Sequence, residues 1–222
     1  ESYTASVTDN NGCPATLPID ITDAGSPSIT ITDVVDATCN NSTDGSITVE
    51  VSGGVTPYTY TWAGSGSTNT ASALAAGLGA GNHVIQVSDA NSCNASANAD
   101  IVEPDPITAA LDPTDPMCFG ASDGSVEVIN PLGGNSASGY TYQWDAGANN
   151  QTAATATGLL DGSYQVTVSD ALGCNTVFSE TITEPTAITV TPTSTSVTCF
   201  EGSTGAITLA SVGGASGYTF DW

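Results

Sequence analysis

The sequence predicts an all-β protein built from tandem immunoglobulin-like β-sandwich repeats of about 80 residues, arranged as an elongated rod. Three observations support this prediction: a strand-favouring composition, short runs of alternating apolar and polar residues, and landmarks that recur at a fixed spacing. The 222 residues include 24 Gly and 11 Pro but only one Met and no Lys or Arg. Because straight-chain residues such as Lys, Arg and Met favour helices, their scarcity indicates strands joined by turns.

Three kinds of landmark establish the repeat. Aromatic runs, glycine pairs and two series of cysteines each occur three times. The aromatic runs occupy 58–62, 140–144 and 218–222, and the glycine pairs 53–54, 133–134 and 213–214. The cysteine series are Cys39, Cys118 and Cys199, and Cys13, Cys93 and Cys174, with 79 to 81 residues between successive members. So many landmarks at one spacing predict a tandem repeat.

The phase of these landmarks predicts four segments. Two complete repeats are expected at 25–104 and 105–185. Residues 1–24 correspond to the C-terminal remnant of a preceding repeat, and residues 186–222 to the N-terminal half of a following one. A sandwich cut through its core buries too little surface to fold alone, so we expect the chain to be a window on a longer protein.

Each repeat shows the strand pattern of a small sandwich. Apolar residues at 47–51 alternate with polar ones, and this period of two is typical of a half-buried strand. Gly-Gly and Asp-Gly dipeptides mark the turns. Trp62 and Trp144 lie on the third predicted strand of their repeats, and Tyr164 lies where immunoglobulin-like domains place a tyrosine corner. We therefore expect these three aromatic residues in the cores.

Charge excludes several classes of partner. The chain has 23 Asp and Glu residues, no Lys or Arg, and a formal net charge of −23. A chain without cationic side chains cannot neutralise phosphates, which excludes nucleic acid and anionic lipid head groups as partners. There is also no apolar stretch of about 18 residues, so membrane insertion is not expected.

Catalysis is not expected, because the sequence lacks the residues for most acid–base chemistry. His83 is the only histidine, and it occupies the position of Tyr164 in the next repeat, which indicates a structural ring. A Ser–His or Cys–His arrangement would be confined to one repeat. The carboxylates cluster near turns and linkers, where a solvated role is the simpler interpretation. The protein is therefore predicted not to be an enzyme.

The second complete repeat carries the motifs of a known family. These are Cys-Phe-Gly-Ala-Ser-Asp-Gly-Ser at 118–125, Gly-Gly at 133–134, Tyr-Thr-Tyr-Gln-Trp at 140–144, Gly-Ser-Tyr-Gln-Val-Thr-Val-Ser-Asp-Ala-Leu-Gly-Cys at 162–174, and Glu-Pro at 184–185. The set resembles the SprB repeat, which occurs in tandem in very large secreted surface proteins of Bacteroidetes, including gliding-motility adhesins. The resemblance covers the whole chain and implies secretion and cell-surface display, with no catalytic residues. The first complete repeat departs from it at Asn40, Asn41 and His83.

The cysteines admit two patterns of disulfide. One joins Cys39 to Cys93 and Cys118 to Cys174 within repeats, and the other joins Cys93 to Cys118 and Cys174 to Cys199 across linkers. Closure entropy grows only logarithmically with loop length, so either pattern contributes roughly 3–4 kcal/mol per bridge. A repeat whose disulfide lies within it can be duplicated any number of times and still fold alone, which favours the first pattern. Regular cysteines in a secreted chain also indicate an oxidising compartment.

The acidic residues raise the question of a cation. Asp105, Asp112 and Asp115 lie near the boundary between the complete repeats, and calcium takes several oxygen ligands. These three residues are candidates for a calcium site that would stiffen the junction. The alternative is that the acidity keeps a long fibre soluble, with no cofactor at all.

Two functions remain open at this level. In the favoured one, the repeats are spacers in the stalk of an extracellular fibre or adhesin, with Pro-containing linkers at Glu103-Pro104 and Glu184-Pro185. Its partners would be other repeats of the chain, identical chains in a filament, and an adhesive target that the sequence does not identify. The alternative is an array of carbohydrate-binding modules. Exposed aromatic platforms would then stack on sugars, using Tyr58, Trp62, Tyr140 and Trp144.

Overall fold

The computed structural model describes residues 1–23, 25–64 and 72–222. It divides into two compact units, Glu1–Glu103 and Pro104–Trp222. Each unit contains one six-stranded sandwich and one two-stranded hairpin. Apart from a single 3₁₀ turn at Ser136–Ser138, the regular structure of the described residues is all β, which confirms the predicted all-β class; the rod arrangement stays a prediction.

The first unit begins with a hairpin and continues into a sandwich. Its strands are β1 (Ser2–Thr8), β2 (Pro14–Asp20), β3 (Ser28–Val35), β4 (Gly45–Ser52), β5 (Thr59–Ala63), β6 (Leu74–Leu78), β7 (Gly81–Ser88) and β8 (Asn94–Ile101). Strands β1 and β2 pair with each other, while the sandwich has one sheet of order β3-β4-β6 and a second of order β5-β7-β8. All neighbouring strands are antiparallel. The third, fifth and sixth strands of the sandwich, which are β5, β7 and β8, thus form one sheet, as in a small immunoglobulin-like domain.

The second unit also has one sandwich and one hairpin, but here the sandwich comes first and the hairpin last. Its strands are β9 (Thr108–Thr114), β10 (Gly124–Leu132), β11 (Thr141–Trp144), β12 (Thr155–Leu159), β13 (Gly162–Ser169), β14 (Asn175–Ile182), β15 (Thr189–Thr195) and β16 (Ala206–Val212). The sandwich sheets have the orders β12-β10-β9 and β11-β13-β14, and β15 pairs with β16. Strand pairing in the described chain thus stays within the segments 1–24, 25–104, 105–185 and 186–222, whose boundaries remain predictions.

The cores lie between the two sheets and follow from the alternation of the sequence. In the first sandwich Ile47 and Val49 of β4 face Ile85 and Val87 of β7, and all four are buried. In the second sandwich Val126 and Val128 of β10 and Val166 and Val168 of β13 are buried in the same way. Because side chains alternate across a strand, the polar residues between them face solvent or the edge of the sheet.

No helix among the described residues has the length and apolar character needed to cross a membrane.

Candidate functional site at the two ends of each sandwich

The leading end of a sandwich, where the chain enters the repeat, is organised by one aspartate. In the first complete repeat the carboxylate of Asp89 is buried and accepts hydrogen bonds from the backbone N–H groups of Val55 at 2.9 Å, Asn91 at 2.9 Å and Cys93 at 2.8 Å. Gly54, at φ +65°, lies so close that a Cβ there would stand 2.9 Å from Asp89 Oδ2. The same Cβ would stand 3.1 Å from the nitrogen of Pro27, at the start of the repeat. The cysteine turn and the start of the repeat therefore share one end.

The second complete repeat has the same construction. Asp170 is buried and accepts from the backbone N–H groups of Asn135 at 2.7 Å, Leu172 at 2.9 Å and Cys174 at 2.9 Å. The N–H of Gly134 donates to the carbonyl of Asp105 at 2.7 Å. Cys174 is thus tied through Asp170 to the loop that holds the first residues of its repeat.

These backbone hydrogen bonds stabilise the charged carboxylates. The N–H of Val55, followed by those of Cys93 and Asn91, holds the pKa of Asp89 below its usual value against the opposing effect of burial. For Asp170 burial is the largest single effect and raises the pKa. The N–H groups of Asn135, Cys174, Leu172 and Gly173 together outweigh it, and the net result is a lowered pKa. Both aspartates are anionic structural anchors.

The trailing end, where the chain leaves the repeat, is organised by a glutamate. Glu103 accepts from Asn40 Nδ2 at 3.0 Å and from the backbone N–H of Asn41 at 2.6 Å, both in the turn that contains Cys39. The N–H of Ala37 also donates to the carbonyl of Val102 at 3.0 Å. The turn between β3 and β4, with Cys39, is therefore fastened to the last residues of the repeat.

Asp44, which lies in the same turn, stabilises it through hydrogen bonds. Asp44 accepts from the hydroxyl groups of Ser42 and Thr38 and from the N–H of Thr38 at 3.0 Å. The hydroxyl of Ser42, then the hydroxyl and N–H of Thr38, lower its pKa to about 2.

The trailing end of the second complete repeat matches the first. The N–H of Gly120 donates to Glu184 Oε2 at 2.6 Å, in the turn that contains Cys118. The N–H of Thr183 donates to Asp115 Oδ1 at 2.8 Å, and its hydroxyl lies 3.1 Å from Asp115 Oδ2. Glu184 and Asp115 thus fasten the last strand to this turn.

The structure corrects the predicted disulfides, because the two cysteines of a repeat lie at opposite ends of its sandwich. Strand β8, with eight residues, separates Cys93 from the trailing end that holds Cys39, and β14 separates Cys174 from the trailing end that holds Cys118. Eight residues of strand span about 26 Å, whereas the Cα atoms of bonded cysteines lie within about 7 Å. Cys93 and Cys118 are free thiols, so neither Cys39–Cys93 nor Cys118–Cys174 is formed.

The aromatic residues lie where the sequence placed them. Trp62 and Trp144 are 4% and 1% exposed, and their indole N–H groups donate to the carbonyls of Ser72 at 3.0 Å and Ala153 at 2.9 Å. They are core residues, without the neighbouring bridges expected for them. Because they are buried, they offer no platform for a sugar ring. Tyr58 and Tyr140 are half-buried, and their hydroxyl groups donate to the carbonyls of the glycine loops, those of Gly53 and Gly133.

His83 and Tyr164 perform the same structural role with different chemistry. The buried Tyr164 donates its hydroxyl to the carbonyl of Leu160 at 3.0 Å, four residues earlier, as a tyrosine corner does. The ring of His83 is 1% exposed, and its Nε2 lies 2.9 Å from the carbonyl of Gly79, also four residues earlier. Its Nδ1 is buried and has no hydrogen-bond partner among residues 1–23, 25–64 and 72–222. His83 therefore substitutes for the tyrosine in packing.

The three acidic residues considered for calcium are not gathered into a site. Asp105, Asp112 and Asp115 are all exposed, and Asp115 binds Thr183. Among residues 1–23, 25–64 and 72–222 there is no group of three or more His, Cys, Asp and Glu side chains that could hold a metal ion.

The anchoring acids were missed at the sequence level, although a signal for them exists. Asp9, Asp89 and Asp170 each stand four residues before a cysteine, and Asp23, Glu103 and Glu184 each stand ten residues after one. An aspartate followed by a short polar turn commonly accepts hydrogen bonds from the N–H groups two and four residues on. Asp9 does so with Asn11 at 2.9 Å and Cys13 at 2.8 Å.

The chain matches one protein family in sequence and is distantly similar in structure to several solved proteins. The family model described as the SprB repeat matches residues 28–67, 110–149 and 188–222. No curated protein matches the chain.

Three solved structures illustrate the distant likenesses. The N-terminal eight immunoglobulin domains of Down syndrome cell adhesion molecule isoform 1.30.30 match at 14% identity and a TM-score of 0.41, over 82% of this chain and 28% of that one. The extracellular domain of protocadherin GammaB4 matches at 11% identity and a TM-score of 0.39, over 88% of this chain and 44% of that one. Three N-terminal domains of the Hoc outer capsid protein of bacteriophage RB49 match at 17% identity and a TM-score of 0.35, over 86% and 71%. This chain therefore spans less than half of the first two of these structures.

Proposed function

The chain belongs to the SprB repeat family, and from that premise we propose that it is a spacer segment in the stalk of a large, secreted surface adhesin. Membership of the family indicates an extracellular, adhesin-like repeat region. In the proposed role each sandwich is a unit of length that holds a distal adhesive part away from the cell. The sandwiches themselves perform no chemistry.

The observation that carries this proposal is the shortness of the connection between complete repeats. Glu103 is bound to the cysteine turn of its own repeat, and Asp105 is bound by Gly134 of the next. Only Pro104 lies between these two fastened residues. Proline fixes its own φ and restricts the preceding residue, so this connection has few conformations. A stalk that holds an adhesive part at a distance needs such a connection.

The charge supports the same role. A net charge of −23 with no Lys or Arg makes parallel segments repel one another, which keeps a long fibre soluble and extended. The cores support it too, because the described sandwiches each bury their own Trp and their own alternating strands, so each repeat stabilises itself. In the alternative function, an array of carbohydrate-binding modules, Trp62 and Trp144 could not stack on a sugar, since both are buried.

The test is a length series. Chains with one, two and four complete repeats are purified and measured by small-angle X-ray scattering. A sandwich with strands of this length and its end loops spans about 40 Å, so a stalk should gain roughly that maximum dimension per repeat. A compact array whose dimension grows only with the cube root of repeat number would overturn the proposal.

A further inference from the structure

We propose that the second complete repeat binds a neutral saccharide in a groove along the edge of β11, between Tyr142 and the segment that leads into β12. Such a site goes beyond the stalk function, because it gives a spacer repeat a ligand of its own. It also differs from the aromatic platforms considered above, since it does not use the buried tryptophans. We call it the β11 groove.

The β11 groove lies on one side of the second sandwich. Strand β11 is the edge strand of one sheet, and β12 is the edge strand of the other. The groove has a volume of about 670 Å³, and its lining includes Tyr142 of β11, Ser169 at the end of β13, and Thr152 and Ala154 just before β12. This volume falls in the range of roughly 300–1,000 Å³ that is typical of small-ligand sites.

The backbone of Tyr142 offers a hydrogen-bond donor and an acceptor at this edge. Among the described strands β11 pairs with β13 alone. The N–H of Asp145 donates to the carbonyl of Gln165 at 3.0 Å, on the β13 side, whereas the N–H of Trp144 donates to the carbonyl of Gln151 at 2.9 Å. Hydrogen-bonded and non-hydrogen-bonded residues alternate along an antiparallel ladder. The N–H and C=O of Tyr142 therefore point away from β13, toward the groove.

Side chains add further polar atoms to the groove. Gln143 is exposed, and its Nε2 donates to the carbonyls of Trp144 at 3.0 Å and Asn150 at 3.2 Å. These two bonds fix the carboxamide and leave its Oε1 to act as an acceptor. The hydroxyl groups of Tyr142 and Thr152 supply donors and acceptors as well. The groove thus combines an aromatic ring with several neutral polar atoms.

Charge restricts the ligand to a neutral one. The chain carries 23 Asp and Glu residues and no Lys or Arg, yet the groove lining that the structure describes includes no Asp, Glu or His. An acidic sugar would be repelled by the net charge and would find no cation to bind. A neutral saccharide matches the groove, because its hydroxyl groups can pair with the polar atoms while a C–H face of the sugar stacks on a tyrosine ring.

Hydrogen bonds hold both walls of the groove in place. Tyr140, which also lines it, donates its hydroxyl to the carbonyl of Gly133 at 2.7 Å, and this fixes the position of the ring. On the opposite wall the carbonyl of Ala153 accepts from the indole N–H of Trp144 at 2.9 Å, and that of Ala154 accepts from a backbone N–H of β10 at 2.9 Å. A preformed site of this kind reduces the entropy that is lost on binding.

Two other uses of the groove fit it less well. Addition of a peptide strand needs several outward-facing N–H and C=O groups along an edge. Strand β11 has only four residues, and the outward N–H of Trp144 is already bonded to Gln151, so Tyr142 alone presents both groups. Cleavage of a glycoside needs two carboxyl groups beside the bond, and the described lining provides none. We therefore expect saccharide binding without hydrolysis.

The test is a titration of the full ¹⁵N-labelled chain with cellohexaose, maltohexaose, laminarihexaose and xylohexaose, followed by NMR. At least one of these sugars should shift the amide signals of Tyr142, Gln143 and Thr152 with a Kd of about 1 mM or tighter. Tyr142→Ala should weaken that binding about tenfold, because it removes the stacking ring. Gln143→Ala should weaken it about fivefold, because it removes one hydrogen bond. Tyr60→Ala, the corresponding change in the first complete repeat, is the matched control and should leave these shifts unchanged.

Three outcomes would overturn the proposal. The first is that none of the four sugars shifts these signals at millimolar concentration. The second is an unchanged affinity in Gln143→Ala, which alters an exposed side chain and therefore tests the site even if Tyr142→Ala does not fold. The third is that the groove binds hexagalacturonate or an extended Thr-Val hexapeptide in place of the neutral sugars. The titration measures binding alone, while the scattering series measures length, so either proposal can fail without the other.

Discussion

The two complete repeats, 25–104 and 105–185, share a fold but differ in the groups that hold it. At the corner position the first repeat uses His83 and the second uses Tyr164, and each ring reaches a carbonyl four residues earlier. At the trailing end Glu103 receives two hydrogen bonds from Asn40 and Asn41, whereas Glu184 receives one from Gly120. The two repeats thus form stabilising hydrogen bonds at the same positions of the sandwich, but the residues that form these bonds differ.

The largest expected effect is on the tryptophan cores. Trp144→Ala should destabilise its own repeat by roughly 3–5 kcal/mol, because it removes a nearly fully buried indole and leaves a cavity. Trp62→Ala should do the same to the first repeat. Hydrogen exchange read by mass spectrometry, which resolves peptides of each repeat, should show accelerated exchange only in the mutated one. Equal acceleration in both would mean that the repeats do not fold independently.

An exchange of the corner residues should give opposite results in the two repeats. Tyr164→His should destabilise the second repeat by about 1–3 kcal/mol, because it leaves a buried ring nitrogen without a partner, as in the first repeat. His83→Tyr should leave the first repeat unchanged or more stable, since it removes the unpaired Nδ1. Urea midpoints monitored by tryptophan fluorescence compare the variants. If Tyr164→His proved neutral, the unpaired nitrogen would carry no cost.

Acid should weaken both repeats through their buried aspartates. The pKa values of Asp89 and Asp170 are lower in the folded chain than in the unfolded one, so their contribution to stability is full above the unfolded value near 4. It is lost as the pH falls through the folded values. The expected result is a decline in the urea midpoint below about pH 5, with little change between pH 6 and 8. A midpoint that rises on acidification would contradict this assignment.

Asp44 should add acid sensitivity to the first repeat. Its pKa of about 2 in the folded chain means that its contribution disappears between about pH 5 and pH 2. Asp44→Asn should therefore flatten the pH dependence of hydrogen exchange in the turn of Cys39. The turn of Cys118 serves as the internal control and should respond to pH as in the wild type.

The smallest expected effect concerns the trailing-end glutamates. Glu103→Gln should increase local hydrogen exchange at Asn41 more than Glu184→Gln does at Gly120, because two hydrogen bonds are weakened in the first case and one in the second. Both effects should be confined to the last turn of the repeat. Exchange that spreads into β4 or β10 would show that the glutamate supports the whole sandwich.

The sequence by itself determined the repeat, the all-β fold and the core. The alternation of apolar and polar residues decides which side chains of β4 face inward. A large aromatic side chain in a small sandwich has few places other than the core, so the burial of Trp62, Trp144 and Tyr164 was predictable. These inferences rest on local periodicity, which the sequence displays directly.

Only the tertiary structure decided where the cysteines lie relative to one another. Spacing along the chain gives the length of a loop but not the end of the sandwich at which a turn stands, and closure entropy barely distinguishes one loop from another. Modularity therefore favoured Cys39–Cys93 and Cys118–Cys174, while β8 and β14 carry the chain the full length of the sandwich between those positions. The anchoring carboxylates were decided at the same level, because Glu103 meets Asn40 across 63 residues of chain, and only the pairing of strands brings such positions together.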